Sequence, residues 1–301
     1  MRRPGIAIDS GVFFRYNVEK SLLEYVMVSL ILAICSSAMI ALIMRLAQPR
    51  VSYPTGLLAG NYIVCCLLSL ILSIPELPSS HLGFPIGLGA LNGLFYLGSF
   101  ALMQWNTRHN GVVLSSVFMK LGILVPTLLS VIWFHEVPTI AQVLGFLISL
   151  AAILIINYQK GTKLSPSGWA LILMLLVGGM GDGMSKVYEV YGNASTKNVF
   201  LFFTFLAALL LCFALMAKKK ERLGRKELLF GAVLGIPNFF SSLFLLNALD
   251  TVPAVIAFPT FSVAVILVVS AAGIAFFGER LTRKQLYGGL LMCISLILLN
   301  L

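Results

Sequence analysis

In the stretch GVVLSSVFMKLGILVPTLL (residues 111–129) the single charged side chain is Lys120, about ten residues in. An ammonium at that depth cannot easily reach a polar interface along its own stem, and ionisable groups within apolar spans mostly face a cavity or a partner. Two readings follow. Lys120 lines a cavity, where it holds an anionic substrate group or titrates, or it is a structural lysine that is paired with a carboxylate or tilted toward an interface. Pro126, six residues on, lacks a backbone donor and can open the helix locally.

A second charged stretch reads GGMGDGMSKVYEVYG (178–192), with Asp182 and Lys186 four residues apart and so on one helix face. Asp182 is expected deeper than Lys186, as a proton or substrate site modulated by its lysine neighbour, or as half of a self-neutralising ion pair. Gly178, Gly179, Gly181 and Gly183 permit close packing or a break there. Glu189 and Glu24 lie near span ends and read as interfacial. Asn92 and Tyr96, and Asn238 behind Pro237, occupy roughly corresponding places in the two halves of the chain. They line a pathway or make interhelical hydrogen bonds. The accompanying Gly89-x-x-x-Gly93 and Gly231-x-x-x-Gly235 pairs read as close-packing seams.

Little else suggests chemistry. His81, His109 and His135 stand alone at loops, and no metal-protease, nucleophile-elbow or phosphate-loop motif occurs. Cys35, Cys65, Cys66, Cys212 and Cys293 all fall in apolar runs, without disulfide or metal spacing, and read as small core residues. No catalytic residue, metal or cofactor is expected.

The elements that hold these side chains are set by composition. The chain has 301 residues, 59% hydrophobic and 11% charged, with a mean hydropathy of +0.99. Soluble domains carry roughly a quarter charged residues, so lipid is the solvent here. Ten runs near 22–46, 54–74, 83–106, 111–134, 139–157, 166–190, 197–216, 228–249, 252–277 and 282–301 reach or approach the ~20 apolar residues a spanning helix needs. They lack period-two alternation, so the expected fold is an all-α membrane protein rather than a barrel. Residues 1–21, with Arg2 and Arg3 but no apolar segment before Leu22, read as a juxtamembrane tail and not as a cleavable signal. Trp105, Trp133 and Trp169 fall near span ends, as an aromatic belt would. The net charge of +10 sits in short loops, where it sets orientation and attracts anionic headgroups; nucleic acid is not an expected partner.

The chain also repeats itself. FHEVPTIAQVLG (134–145) and FGERLTRKQLYG (277–288) align at an offset of 143, pairing Glu136 with Glu279, Thr139 with Thr282, Gln142 with Gln285 and Gly145 with Gly288. Thr139/Gln142 and Thr282/Gln285 are capping boxes, and Glu136 and Glu279 precede the capped helices, where negative charge favours the dipole. Five spans per repeat is odd, so the second copy enters the membrane inverted, the architecture in which secondary transporters enclose a midplane site. The division expected is a tail (1–21), a first five-helix repeat (22–157), a linker (158–165) and a second repeat (166–301).

The closing segment FGERLTRKQLYGGLLMCISLILL and the two five-helix halves resemble EamA-type members of the drug/metabolite transporter superfamily. The first half departs from that pattern at His135 and Pro138. The resemblance covers about residues 22–301. It implies a multi-pass protein of the cell membrane that moves metabolites, often outward, with no cofactor or ATP hydrolysis.

Two lysines against one clear carboxylate within spans point to a small polar or amphipathic substrate with an anionic group, such as an amino or organic acid. A non-transporting scaffold or sensor is the alternative; protons and a second copy of the chain stand as open partners. Orientation is contested. Residues near the termini's face include five Lys and Arg and the opposite face fourteen, which places both termini outside, whereas the resemblance implies cytoplasmic termini.

Overall fold

The computed structural model describes residues 10–77, 81–157, 168–278 and 282–301, with no side-chain detail for 10–27, 112 or 113. Glu279 and the linker 158–165 lie outside the described residues. Among the described residues the chain is helical, without strands. In order come α1 (Ser10–Ala47), α2 (Pro54–Ser73), α3 (Gly83–His109), α4 (Val112–Lys120), α5 (Leu124–Ile132), α6 (Ile140–Asn157), α7 (Trp169–Tyr191), α8 (Lys197–Lys219), α9 (Arg225–Leu249), α10 (Ala254–Phe277) and α11 (Arg283–Leu299).

Nine segments among the described residues are long and apolar enough to cross a membrane, with α4 and α5 forming one of them, Leu114–Ile132. The tenth, α11, has 17 residues, which at 1.5 Å each give about 26 Å, near the hydrocarbon thickness. The fourth span is broken by one 3-10 turn, Leu121–Ile123. Pro126 has no N–H to give the carbonyl four residues back, at Gly122, so the break falls beside Lys120 and upstream of the proline. The glycine-rich stretch of α7 is unbroken. Its Gly179 serves packing: a Cβ there would collide with the Gly122 carbonyl and sit 2.5 Å from Val125 Cβ. Among the described residues α1 extends from Ser10, ahead of the expected span, and Val28–Ala47 is long and apolar enough to cross a membrane.

Contacts between equivalent helices establish the inversion. Gly145 of α6 lies against Ser295, Leu298 and Leu299 of α11, while Gly288 of α11 lies against Ala152 and Ile156 of α6. The start of each meets the end of the other, so α6 and α11 are antiparallel. Likewise α2 touches α8 with Tyr62 near Phe205 and Glu76 at Asn198, again antiparallel. Exchanging the halves turns the α2/α9 packing into α8/α3 and α1/α9 into α7/α3, and all four occur. The protein is two inverted five-span halves.

Close seams hold the halves together, as expected where lipid supplies no hydrophobic drive between helices. A Cβ on Gly93 of α3 would lie 2.5 Å from the Thr204 carbonyl of α8, and one on Gly231 of α9 would lie 2.6 Å from the Leu57 carbonyl of α2. Phe200, Phe205, Phe239 and Tyr188 fill the core beside them. Cys65, Cys66 and Cys212 are buried as expected, but Cys35 and Cys293 are exposed on the outer surface. Both repeat turns form their hydrogen bonds: Thr139 N–H donates to Gln142 Oε1 at 3.0 Å and Thr282 N–H to Gln285 Oε1 at 2.9 Å, with each Gln N–H returning to the Thr oxygen.

Alternate threading puts residues 133–139, 192–196, 250–253 and the C-terminus on one face, here the first face. Residues 48–53, 110–111 and 220–224 lie on the second. Trp105 and Trp169, with ring centroids 6.2 Å apart, mark the second face, and Trp133 marks the first.

Candidate functional site

A cavity of about 510 Å³ lies between the halves at mid-depth. Lys120 reaches it from the end of α4, where the 3-10 turn interrupts the span, and Asp182 from the glycine-rich middle of α7. Both side chains are solvent-accessible there, and neither has a hydrogen-bond or ion-pair partner among the described residues. Tyr96 of α3 and Asn238 of α9 line the same space. Phe95, Phe100, Phe261, Met44 and Met119 supply an apolar wall. The half-repeat equivalent of Lys120, Val263, is fully buried, so the charge is asymmetric between halves. The lining is skewed toward the second face: Met44, Leu58, Ile153 and Leu234 belong to the second-face ends of their helices.

Lys186 and Asn92 stand elsewhere. Lys186 makes no ion pair with Asp182. One turn nearer the first face, it is buried and lies 2.8 Å from Glu136 Oε1, and it also pairs with Glu189. The carboxylates of the adjoining loop and turn outcompete Asp182 because they approach the ammonium directly. Glu189, read as interfacial, is thereby half-buried in an ion cluster. Asn92 is buried between α3 and α7, off the cavity, and its Oδ1 has no partner.

Glu136 corrects another expectation. It does not serve its own helix, α6. The chain turns at His135, where φ is +55°, and carries the carboxylate across to the start of α10, where it accepts N–H groups of Ala254 at 3.1 Å and Val255 at 2.8 Å. Those are orphan first-turn donors, and a negative charge beside them opposes the positive end of the helix dipole. Partial burial would raise the Glu136 pKa, but the hydrogen bonds from Lys186, Val255 and Ala254 outweigh it and hold the group below the ordinary glutamate value.

Two further glutamates do the same job between halves. Glu76 of the first half accepts from Val199 N–H at 2.9 Å at the start of α8, and Glu227 of the second half accepts from Ser52 N–H at 2.8 Å just before α2. Lys197, at the start of α8, is buried and pairs with Asp250, with Asn247 at 3.3 Å. Sequence reading singled out neither Glu76 nor Glu227, because the helix each caps is more than a hundred residues away. Asn61 and Ser262, which also line the cavity, were missed too. A lone Asn in the apolar run NYIVCCLLSLIL was the available signal for Asn61.

An inverted helical bundle with a charged, partly aromatic chamber between its halves is an architecture of membrane transporters. The chain matches the EamA-like transporter family over residues 24–158 and 161–301, and it belongs to that family. It is 22% identical over 272 residues to an uncharacterised protein of Haemophilus influenzae, across 86% of this chain and 93% of that one. A solved crystal structure superposes with a TM-score of 0.75 at 16% identity, covering 92% of this chain and 98% of the other; that likeness concerns the fold alone. As a member of the family the protein is an integral multi-pass membrane transporter.

Proposed function

We propose that the protein moves a small amphipathic organic metabolite carrying an anionic group, such as an amino or organic acid, by alternating access. One observation carries the reading: Lys120 and Asp182, opposite in sign and free of partners among the described residues, line one chamber of about 510 Å³. A chamber of a few hundred Å³ suits a small ligand. Charges without partners are costly within a membrane-spanning bundle, and a substrate that pairs with them offsets that cost. Lys120 takes the anionic group, Asp182 a cationic group or a proton, and Phe95, Phe100 and Phe261 take the apolar body. In this cycle the first face is held shut by Glu136–Lys186–Glu189 and Lys197–Asp250, and opening it breaks those pairs.

The test is a metabolite-library thermal-shift screen on purified protein, followed by flux of the hits in proteoliposomes in both directions; only binders of the folded state raise its melting temperature. Hits should carry an anionic group, and Lys120→Met should remove their binding and flux. Full retention of both in Lys120→Met would sink the role assigned to Lys120. Absence of flux for every binder would favour a scaffold or sensor.

A further inference from the structure

We infer that Asn61 and Asn238 form a subsite for an uncharged group that has a hydrogen-bond acceptor beside a donor, such as a carboxamide or the lactam edge of a heterocycle. The inference rests on reading the cavity as the substrate chamber. The two residues come from different halves, Asn61 from α2 and Asn238 from α9, and both line the cavity. Asn238 Nδ2 donates to Asn61 Oδ1 at 3.1 Å, with Cys65 Sγ 3.7–3.8 Å from the two amides.

Each amide has one acceptor oxygen and one nitrogen with two protons. The bond between them uses the Asn61 oxygen and one N–H of Asn238, leaving the Asn61 nitrogen and the Asn238 oxygen. Neither has a hydrogen-bond partner among the described residues; Asn238 is half-buried and Asn61 almost wholly buried, and both stand in the cavity wall. Rotating both amides by half a turn exchanges the roles and again leaves one nitrogen and one oxygen, so the pattern is independent of amide orientation.

A donor beside an acceptor is matched by an acceptor beside a donor. A carboxylate, which only accepts at neutral pH, would satisfy the nitrogen and set an anion against the other oxygen. Buried polar groups left unpaired in this way discriminate strongly between ligands. The subsite is thus chemically distinct from Lys120. Because the pair straddles the α2/α9 seam, a ligand held by both amides engages both halves at once.

Melting of the purified full-length protein with three matched probes tests this: benzamide, N,N-dimethylbenzamide, which has no N–H, and benzoate. Benzamide should raise Tm by about 2 °C, the size expected for a ligand at tenfold its Kd on a chain of this length, and N,N-dimethylbenzamide should not. Asn61→Ala and Asn238→Ala should each abolish the benzamide rise and leave a benzoate rise intact, while Lys120→Met does the reverse. No rise with benzamide, an equal rise with the dimethyl compound, or a rise that survives both asparagine variants overturns the inference. Should either variant fail to fold, the comparison of benzamide with its dimethyl analogue on the unaltered protein still decides. A benzoate response that depends on Lys120 while benzamide fails leaves the transport reading standing without this subsite. A benzamide response that depends on the asparagines while benzoate fails overturns the role of Lys120 alone.

Discussion

Lys186 Nζ lies 2.8 Å from Glu136 Oε1, and that same carboxylate accepts the N–H groups of Ala254 and Val255. One ion pair therefore joins α7, the loop after α5 and the start of α10. Lys186→Met would leave Glu136 and Glu189 facing each other without their cation in a largely buried place, at a cost of about 3 kcal/mol. Glu136→Gln should cost less, since an amide oxygen still accepts from the α10 backbone. The double variant should lose less than the sum of the two, and thermal melts of all four proteins measure that coupling.

Glu136 also sets a pH dependence. Its folded-state pKa lies below the ordinary glutamate value, so the folded chain binds fewer protons than the unfolded one. Its contribution is complete above the unfolded value of about 4.3 and disappears as pH falls through the lower folded value. Tm should therefore fall more steeply below about pH 4.5 in the native protein than in Glu136→Gln. Parallel curves for the two would contradict the assignment.

The proposed closure of the first face predicts sidedness. With exposed Cys35 and Cys293 replaced by Ala, a cysteine at the cavity-lining Ser262 should react with an impermeant thiosulfonate added at the second face and only slowly from the first. Adding Lys186→Met should raise first-face labelling, because a transition between two faces shifts when one closing contact is lost. Unchanged labelling would separate these ion pairs from the gate.

Two glycines on α3 make a matched pair for packing. Gly93→Ala drives a Cβ to 2.5 Å from the Thr204 carbonyl and 2.6 Å from Ala207 Cβ, whereas nothing lies within 4 Å of a Cβ on Gly87. Overpacking at Gly93 should cost about 1–3 kcal/mol. At Gly87 the same change should be neutral or stabilise by up to about 1 kcal/mol through helix propensity. Similar losses at both would refute the seam.

The repeat of Thr139/Gln142 at Thr282/Gln285, the ten apolar runs and the odd number of spans per copy made the inverted bundle legible, since each rests on local periodicity and capping. Lys120 and Asp182 were legible as well: an ionisable group deep in an apolar helix draws attention without any knowledge of neighbours. The fate of Lys186 was not legible. Spacing put it on the face of Asp182, but Glu136, fifty residues earlier, lies nearer in space and takes the charge. The same distance in sequence hid Glu76 and Glu227, each of which caps a helix of the other half.

The sequence by itself determined the solvent, the spans and the inversion, because hydropathy, periodicity and chain parity act within a helix or between neighbours along the chain. Only the tertiary structure decided which charges pair and which stay open to the chamber. Partner choice depends on distances between helices of opposite halves, and those are set where Gly93 meets Thr204 and Gly231 meets Leu57, contacts that no local pattern encodes.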